Sequence, residues 1–197
     1  MNRLKLFLGS ALLFGLIGLA DAGAKTFGVD SNHSIFGFTA STILFDVQGR
    51  FESYKVQVSG DPDTLADAKV QIEIDAKSIS TDNKTRDNHL RSPDFFDVAK
   101  YPKIIFTSTA VHKEGQSVAV EGTLDMHGVK KPLKILFEAV SAANGAGIME
   151  NVYKAEIPLN RKDFGIGADS VGAKISLKDE VKLKLLLAGF FEDKKGK

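Results

Sequence analysis

The side chains best suited to chemistry are four histidines, His33, His89, His112 and His127, together with Asp87 two positions before His89. Imidazole and carboxylate acting together would serve as metal ligands or as a general base. Their spacing argues against both roles. No H-E-x-x-H run sets two imidazoles on one helical face. His89 and His127 read instead as hydrogen-bonding residues that fix loops, and Asp87 as half of a local ion pair with Arg86 or Arg91. Gly165-Ile166-Gly167-Ala168-Asp169-Ser170 begins like a dinucleotide fingerprint, but Ser170 stands where the third glycine belongs and no strand-helix-strand unit surrounds it. Asp61-Pro62-Asp63 does not continue into a calcium loop, which needs a glycine and a closing glutamate further on. No G-x-S-x-G nucleophile turn occurs, and the chain has no cysteine, which removes thiol chemistry and disulfide scaffolds. No catalytic or metal-ligating residue is assigned, no cofactor is required, and the protein is expected not to be an enzyme.

The elements around these residues are strands. From Lys69 to Ile74, Val70, Ile72 and Ile74 fall on one side and Gln71 and Glu73 on the other, the period of two of a half-buried strand. The same alternation recurs in Phe36, Phe38 and Ala40; in Val56 and Val58; in Ile104, Phe106 and Ser108; in Val118, Val120, Gly122, Leu124 and Met126; in Leu133, Ile135, Phe137 and Ala139; in Ala155, Ile157 and Leu159; and in Val181, Leu183, Leu185 and Leu187. About eight or nine strands result, separated by turn signals at Ser59-Gly60-Asp61-Pro62-Asp63, Lys113-Glu114-Gly115-Gln116, His127-Gly128 and Ala143-Asn144-Gly145-Ala146-Gly147. Short loops join antiparallel neighbours, so the fold is expected to be all-β, a meander closed into a barrel or folded as a sandwich. One stretch breaks the rhythm: Ser92 as N-cap, Pro93 and Asp94 predict a short helical excursion near 87–98, with Leu90, Phe95 and Phe96 facing inward.

The N-terminus adds a destination. Arg3 and Lys5 precede an apolar run from Leu6 to Leu19 and then small residues through Ala24, the three-part layout of a secretory signal peptide. At roughly 1.5 Å of helical rise per residue the run covers about 21 Å, short of the ~30 Å of a bilayer core, so no transmembrane anchor is expected. Cleavage after Ala22 and after Ala24 both fit. Residues 25–190 then form one barrel domain, and 191–197 a charged tail. Basic and acidic residues nearly balance, with a net charge of +1 over the whole chain, which supplies no single-sign field for nucleic acid.

An outer-membrane barrel would also alternate. Here the second face of nearly every strand carries charge, as at Glu73, Glu121, Asp125, Lys134, Lys154, Glu156, Lys182 and Lys184, and a lipid-facing wall does not tolerate that. The charged face therefore meets water and the apolar face lies inside. Eight strands enclose either a packed core or a narrow apolar channel, and periodicity alone leaves the two open.

Specific residues carry the sequence further. Ser78-Ile79-Ser80-Thr81, then Arg86 through Val98, then Tyr101-Pro102-Lys103-Ile104-Ile105-Phe106 resemble the signature of the YceI-like family. Flanking pieces agree in order: Val29 through Ser34, Gly49-Arg50-Phe51, Gly122 through Pro132, and Arg161 through Ile166. The resemblance spans nearly the whole chain after the leader. It implies an extended, lipocalin-like eight-stranded antiparallel barrel, periplasmic in bacteria, whose channel holds a long apolar chain such as a polyisoprenoid, an isoprenoid quinone or a fatty-acid derivative.

On that resemblance the channel wall is assigned to Phe36, Phe38, Phe51, Val56, Val58, Ile72, Ile74, Ile104, Phe106, Leu124, Ile135, Phe137, Leu183 and Leu185. Each methylene buried there is worth about 0.8 kcal/mol, so a long chain needs few polar contacts. The expected partner is thus a long-chain lipid, with a homodimer left open. A stress-protective or structural protein without a dedicated ligand, and a lipid-modifying enzyme using His89 or His127, are the alternatives.

Overall fold

A computed structural model describes residues 25–61, 64–65, 67–143 and 149–193, so the expected leader lies outside the described residues. Eleven strands are present among them: β1 (Lys25–Val29), β2 (Ile35–Thr42), β3 (Asp46–Phe51), β4 (Tyr54–Gly60), β5 (Lys69–Asp75), β6 (Ile79–Ser80), β7 (Lys103–Glu114), β8 (Ser117–Met126), β9 (Val129–Ala143), β10 (Met149–Asn160) and β11 (Leu177–Asp193). Two short helices accompany them, α1 (Lys84–Arg91) and α2 (Val171–Ser176).

The eleven strands occupy eight places around a closed antiparallel barrel, because the first three places are each filled by a strand broken in two. The far half of β11 pairs with β1 (Phe27 opposite Phe191) and its near half with β2 (Phe38 opposite Leu183), so β1 and β2 share one place. In the same way β3 and β4 pair with β2 and β1, and β5 and β6 pair with β4 and β3. From β5 the ladder runs through β7, β8, β9 and β10 to β11, which closes the ring on β1.

A broken strand leaves backbone donors to satisfy, and serine side chains do part of this. Ser34 Oγ accepts from the N–H of Ala188 at 3.0 Å and donates to its carbonyl at 3.3 Å, standing in for a ladder residue at the first break. Ser78 Oγ accepts from the N–H of Ser53 at 3.0 Å, tying the second break to the third. Asp30 stabilises the first break from outside, accepting from the N–H of Asn32 at 2.8 Å and lying 2.7 Å from His33 Nδ1. The hydrogen bond with His33 holds the Asp30 carboxyl below the usual carboxylate range.

Alternation fills the interior as expected: Phe36, Ile72, Ile104, Phe106, Val120, Ile135 and Phe137 are buried in one apolar cluster. The outer wall carries cross-strand charge pairs, Lys103–Glu73 at 3.1 Å, Lys134–Glu114 at 2.5 Å and Lys182–Glu156 at 3.8 Å. Exposed pairs of this kind contribute little stability each, but they mark the wall as one that faces water.

Three features differ from the sequence-based expectation. The helix starts at Asn83, whose side chain accepts from the N–H of Arg86, and it ends where Ser92 was expected to begin one. Ser92 is extended because the residue before a proline avoids the helical region. Asp87 forms no ion pair with Arg86 or Arg91 among the described residues. It is buried and accepts from the N–H and hydroxyl of Thr81 at 2.8 and 2.5 Å, while Arg86 donates to the Thr81 carbonyl and Arg91 to those of Lys77 and Ile79. The C-terminal segment from 191 joins the barrel first, with Phe191, Glu192 and Asp193 paired to β1 before residues 194–197 leave the described structure.

Candidate functional site: the barrel lumen

The strand directions give the barrel two ends. The upper end holds the β7–β8 hairpin and the loop after Gly60; the lower end holds α1, α2 and the β8–β9 turn. Between them the inward side chains leave three voids along the axis. The upper one, about 70 Å³, is lined by valines Val58, Val70, Val111, Val118 and Val120, with Phe27, Phe137, Tyr153, Leu187 and Phe191. The middle one, also about 70 Å³, is bounded by Phe36, Phe51, Ile72, Ile74, Ile104, Phe106, Leu124, Met126, Leu133, Ile135, Ile157, Leu183 and Leu185. The lower one, about 90 Å³, lies among Phe38, Ala40, Phe51, Leu90, Phe95, Phe96, Met126, Leu159, Ile166, Leu177, Val181, Leu183 and the stem of Arg161. Phe51, Met126 and Leu183 are common to the middle and lower voids and form the partition between them.

Each void exists because large and small inward residues alternate across neighbouring strands. Phe38 sits opposite Gly49, and a side-chain carbon at Gly49 would collide with the Phe38 ring. The Phe106 ring and the Thr107 carbonyl likewise occupy the space beside Gly122. The far ends of the rings lie against these glycines, in the space a side-chain carbon would take.

Thirteen of the fourteen expected wall residues line one of the three voids; Val56 packs against the core without lining any of them. Alternation also pointed to Val70, Val118, Val120, Met126, Leu133, Ile157, Leu159, Val181 and Leu187, which the expected wall left out. Phe27 and Phe191 lacked a signal, since they lie on the strand preceding the first recognised one and in the expected tail. Leu90, Phe95 and Phe96 do face inward as expected and close the lower void.

Polar groups touch the lumen only near its ends. At the top, burial pushes the Tyr153 phenol above its ordinary range, and Ser59 and Asp61 stand at the same void. At the bottom, the Arg161 guanidinium is committed to the carbonyls of Ile166, Ala173, Leu177 and Lys178 and to Asp179, at 2.9 to 3.3 Å, with the side chain 3% exposed. It clamps α2 and the start of β11 to the barrel floor. The histidines serve local structure: His89 Nε2 meets Asp94 at 3.1 Å, and His127 Nδ1 meets the Phe164 carbonyl at 2.8 Å.

A lumen of this kind, walled on one side by broken strands and floored by an arginine clamp, can be compared with known proteins. The family model described as the YceI-like domain matches residues 27–188. The chain belongs to the YceI-like family. Among curated relatives, a UPF0312 protein of Vibrio campbellii is 36% identical over 138 residues, 64% of this chain and 73% of the relative. The crystal structure of BcnA from Burkholderia cenocepacia superposes with a TM-score of 0.73 at 25% identity, covering 83% of this chain and all of that one. A polyisoprenoid-binding domain from Saccharophagus degradans, implicated in plant cell wall breakdown, shares the fold at TM-score 0.61 and 18% identity, over 87% of this chain and 99% of that domain. This YceI-like chain therefore has a lipocalin-like barrel.

Proposed function

We propose that this YceI-like protein is a periplasmic carrier, and not an enzyme, that holds a long apolar chain along the axis of its barrel. The observation that carries this reading is the line of three apolar voids inside a wall of charge pairs. A cavity of about 150 Å³ takes one benzene, so each void as it stands takes about three carbons and the three together about nine. A fatty acyl or prenyl chain running through the lumen therefore requires side chains between the voids, Phe51, Met126 and Leu183 among them, to turn aside. The polyisoprenoid-binding domain that shares the fold supports an isoprenoid, including the tail of a quinone. The leader motif supports a compartment where a free prenyl chain is insoluble and a carrier is useful. Polar groups at the top of the upper void, Tyr153 and Ser59, suit a head group held there.

The test is native mass spectrometry and organic extraction of protein purified without detergent. A long-chain lipid should be recovered, and Ile135→Trp, which fills the middle void, should remove most of it while leaving the circular dichroism unchanged. A second reading, a stress-protective barrel without a ligand, is favoured by the small size and separation of the voids. Absence of any lipid from the extract, together with failure to take up a prenyl or acyl chain offered in detergent, would establish that reading instead.

A further inference from the structure

Apolar side chains that a fold leaves in water need an explanation when they cluster. At the lower end, the β2–β3 hairpin turns through Ile43, Leu44 and Phe45, which are 68%, 83% and 59% exposed. Beside it, α2 presents Val171 and Ile175, one helical turn apart on the same face and 71% and 72% exposed. The two pieces are joined: the N–H of Ile43 donates to the Ser176 carbonyl at 3.0 Å. Five large apolar side chains therefore project from one tied unit.

The backbone of the tip is tied down by Thr42. Thr42 Oγ accepts from the N–H of Leu44 at 3.2 Å and of Phe45 at 3.0 Å, and donates to the Phe45 carbonyl at 2.7 Å. The Thr42 N–H donates to that same carbonyl at 2.9 Å. All three N–H groups of Ile43, Leu44 and Phe45 thus have partners inside the protein. A threonine-centred turn of this kind fixes the tip in one shape.

Charge frames the unit. Lys174 and Lys178 are exposed and have no carboxylate partner among the described residues, and exposed Asp46, Asp169 and Glu180 stand near them in the sequence. Lysines flanking an apolar tip suit a layer of anionic head groups, and Asp46 limits how deep the tip enters. The strands that carry the tip also line the lumen: β2 gives Phe38 and Ala40, and β11 gives Leu177 and Val181, to the lower void. We propose that the Ile43–Phe45 tip and the Val171/Ile175 face of α2 form a foot that inserts into a lipid bilayer and sets the lower end of the barrel against it. The proposal rests on the carrier reading for its purpose, since a chain soluble only in membrane has to be collected from one, but not for its geometry.

The chain has no tryptophan, so Leu44→Trp gives a single reporter. With vesicles of phosphatidylethanolamine containing a minority of phosphatidylglycerol, its emission should shift to the blue and be quenched by brominated acyl chains. Leu136→Trp, on the exposed barrel wall, should show neither effect. In flotation, Leu44→Asp with Phe45→Asp should lower vesicle partitioning of the full mature chain about tenfold or more. Val171→Asp with Ile175→Asp provides an independent pair should the first disturb the hairpin. An unshifted Leu44→Trp spectrum, or partitioning that both aspartate pairs leave unchanged, overturns the foot. So does a concentration-dependent dimer, abolished by the same substitutions, in a protein that never floats. Uptake of a prenyl chain from detergent is measured separately. Uptake without flotation removes the foot and leaves the carrier reading; flotation without uptake removes the carrier reading and supports the foot.

Discussion

The two arcs of the barrel wall are built differently. From β7 through β11 each place holds one long, continuous strand, up to the 17 residues of β11. From β1 to β6 each place is broken, at Asp30–Ser34, at Glu52–Ser53 and at the short turn Ala76–Ser78, and the breaks lie side by side. The continuous arc is held by ladder bonds along unbroken strands, with register shifts only between Ser108 and Ala110 and between Leu177 and Val181. The segmented arc has ladder bonds within each piece, and its breaks are spanned by the N–H groups of Glu52 and Asp75, which donate to the Ser78 and Ser53 carbonyls, and by the side chains of Ser34, Ser78, Asp87 and Arg91. One arc is a frame; the other is a set of panels, and it carries the side closure of the lower void and the β2–β3 tip.

The largest test of this difference is a cavity mutation in each arc. Phe106→Ala, in β7, should destabilise the whole protein by about 3–5 kcal/mol in denaturant titration. Phe38→Ala, in half-buried β2, should cost clearly less; equal losses would mean the arcs fold as one. A matched glycine pair sharpens the contrast. The side-chain carbon of Gly122→Ala would meet the Thr107 carbonyl as well as the Phe106 ring, so about 1–3 kcal/mol is expected. Gly49→Ala meets first the far end of the Phe38 ring, which can swing, so its cost should stay below about 1 kcal/mol.

Asp87→Ala strands the buried N–H of Thr81, a penalty of about 1–3 kcal/mol where it is felt. If the panels open separately, hydrogen exchange should rise in β6, α1 and residues 92–98 while β7 to β11 keep their protection. The smallest effect concerns pH. The folded Asp30 carboxyl is held below its ordinary range, chiefly by His33, so its contribution is complete above the ordinary aspartate pKa. That contribution is lost as pH falls through the depressed folded value. Protection factors at the amides of residues 29–36, taken relative to intrinsic exchange at each pH, should therefore fall on acidification before those of β8 and β9, and Asp30→Asn should remove the difference.

The frame was legible in the sequence and the panels only in part, for a physical reason. Strands that bury every second residue announced themselves by period, β7 to β11 in the frame and β2, β4 and β5 among the panels. β3 reads Asp-Val-Gln-Gly-Arg-Phe, and its central inward place is taken by Gly49 because a ring from another strand occupies the space. No window on β3 alone contains that fact. β6 has only two residues and pairs far away in sequence. The helix was misplaced because Ser92-Pro93 carries a stronger start signal than Asn83, whereas in the fold the buried Asp87–Thr81 contact decides where the helix sits. Most of the wall residues lie at alternating positions and Phe51 in the family-like Gly49-Arg50-Phe51 piece, but the partition of the lumen by Phe51, Met126 and Leu183 depends on how side chains from three strands meet.

That partition gives the lumen a graduated scale. A chain threaded along the axis gains contact while it fills one void, then must displace side chains before the next one opens to it. On the carrier reading, affinity measured against a homologous series of chain lengths should climb in steps with plateaus between them, not as a straight line of equal increments per methylene. The barrel would then discriminate by length before any head group is read.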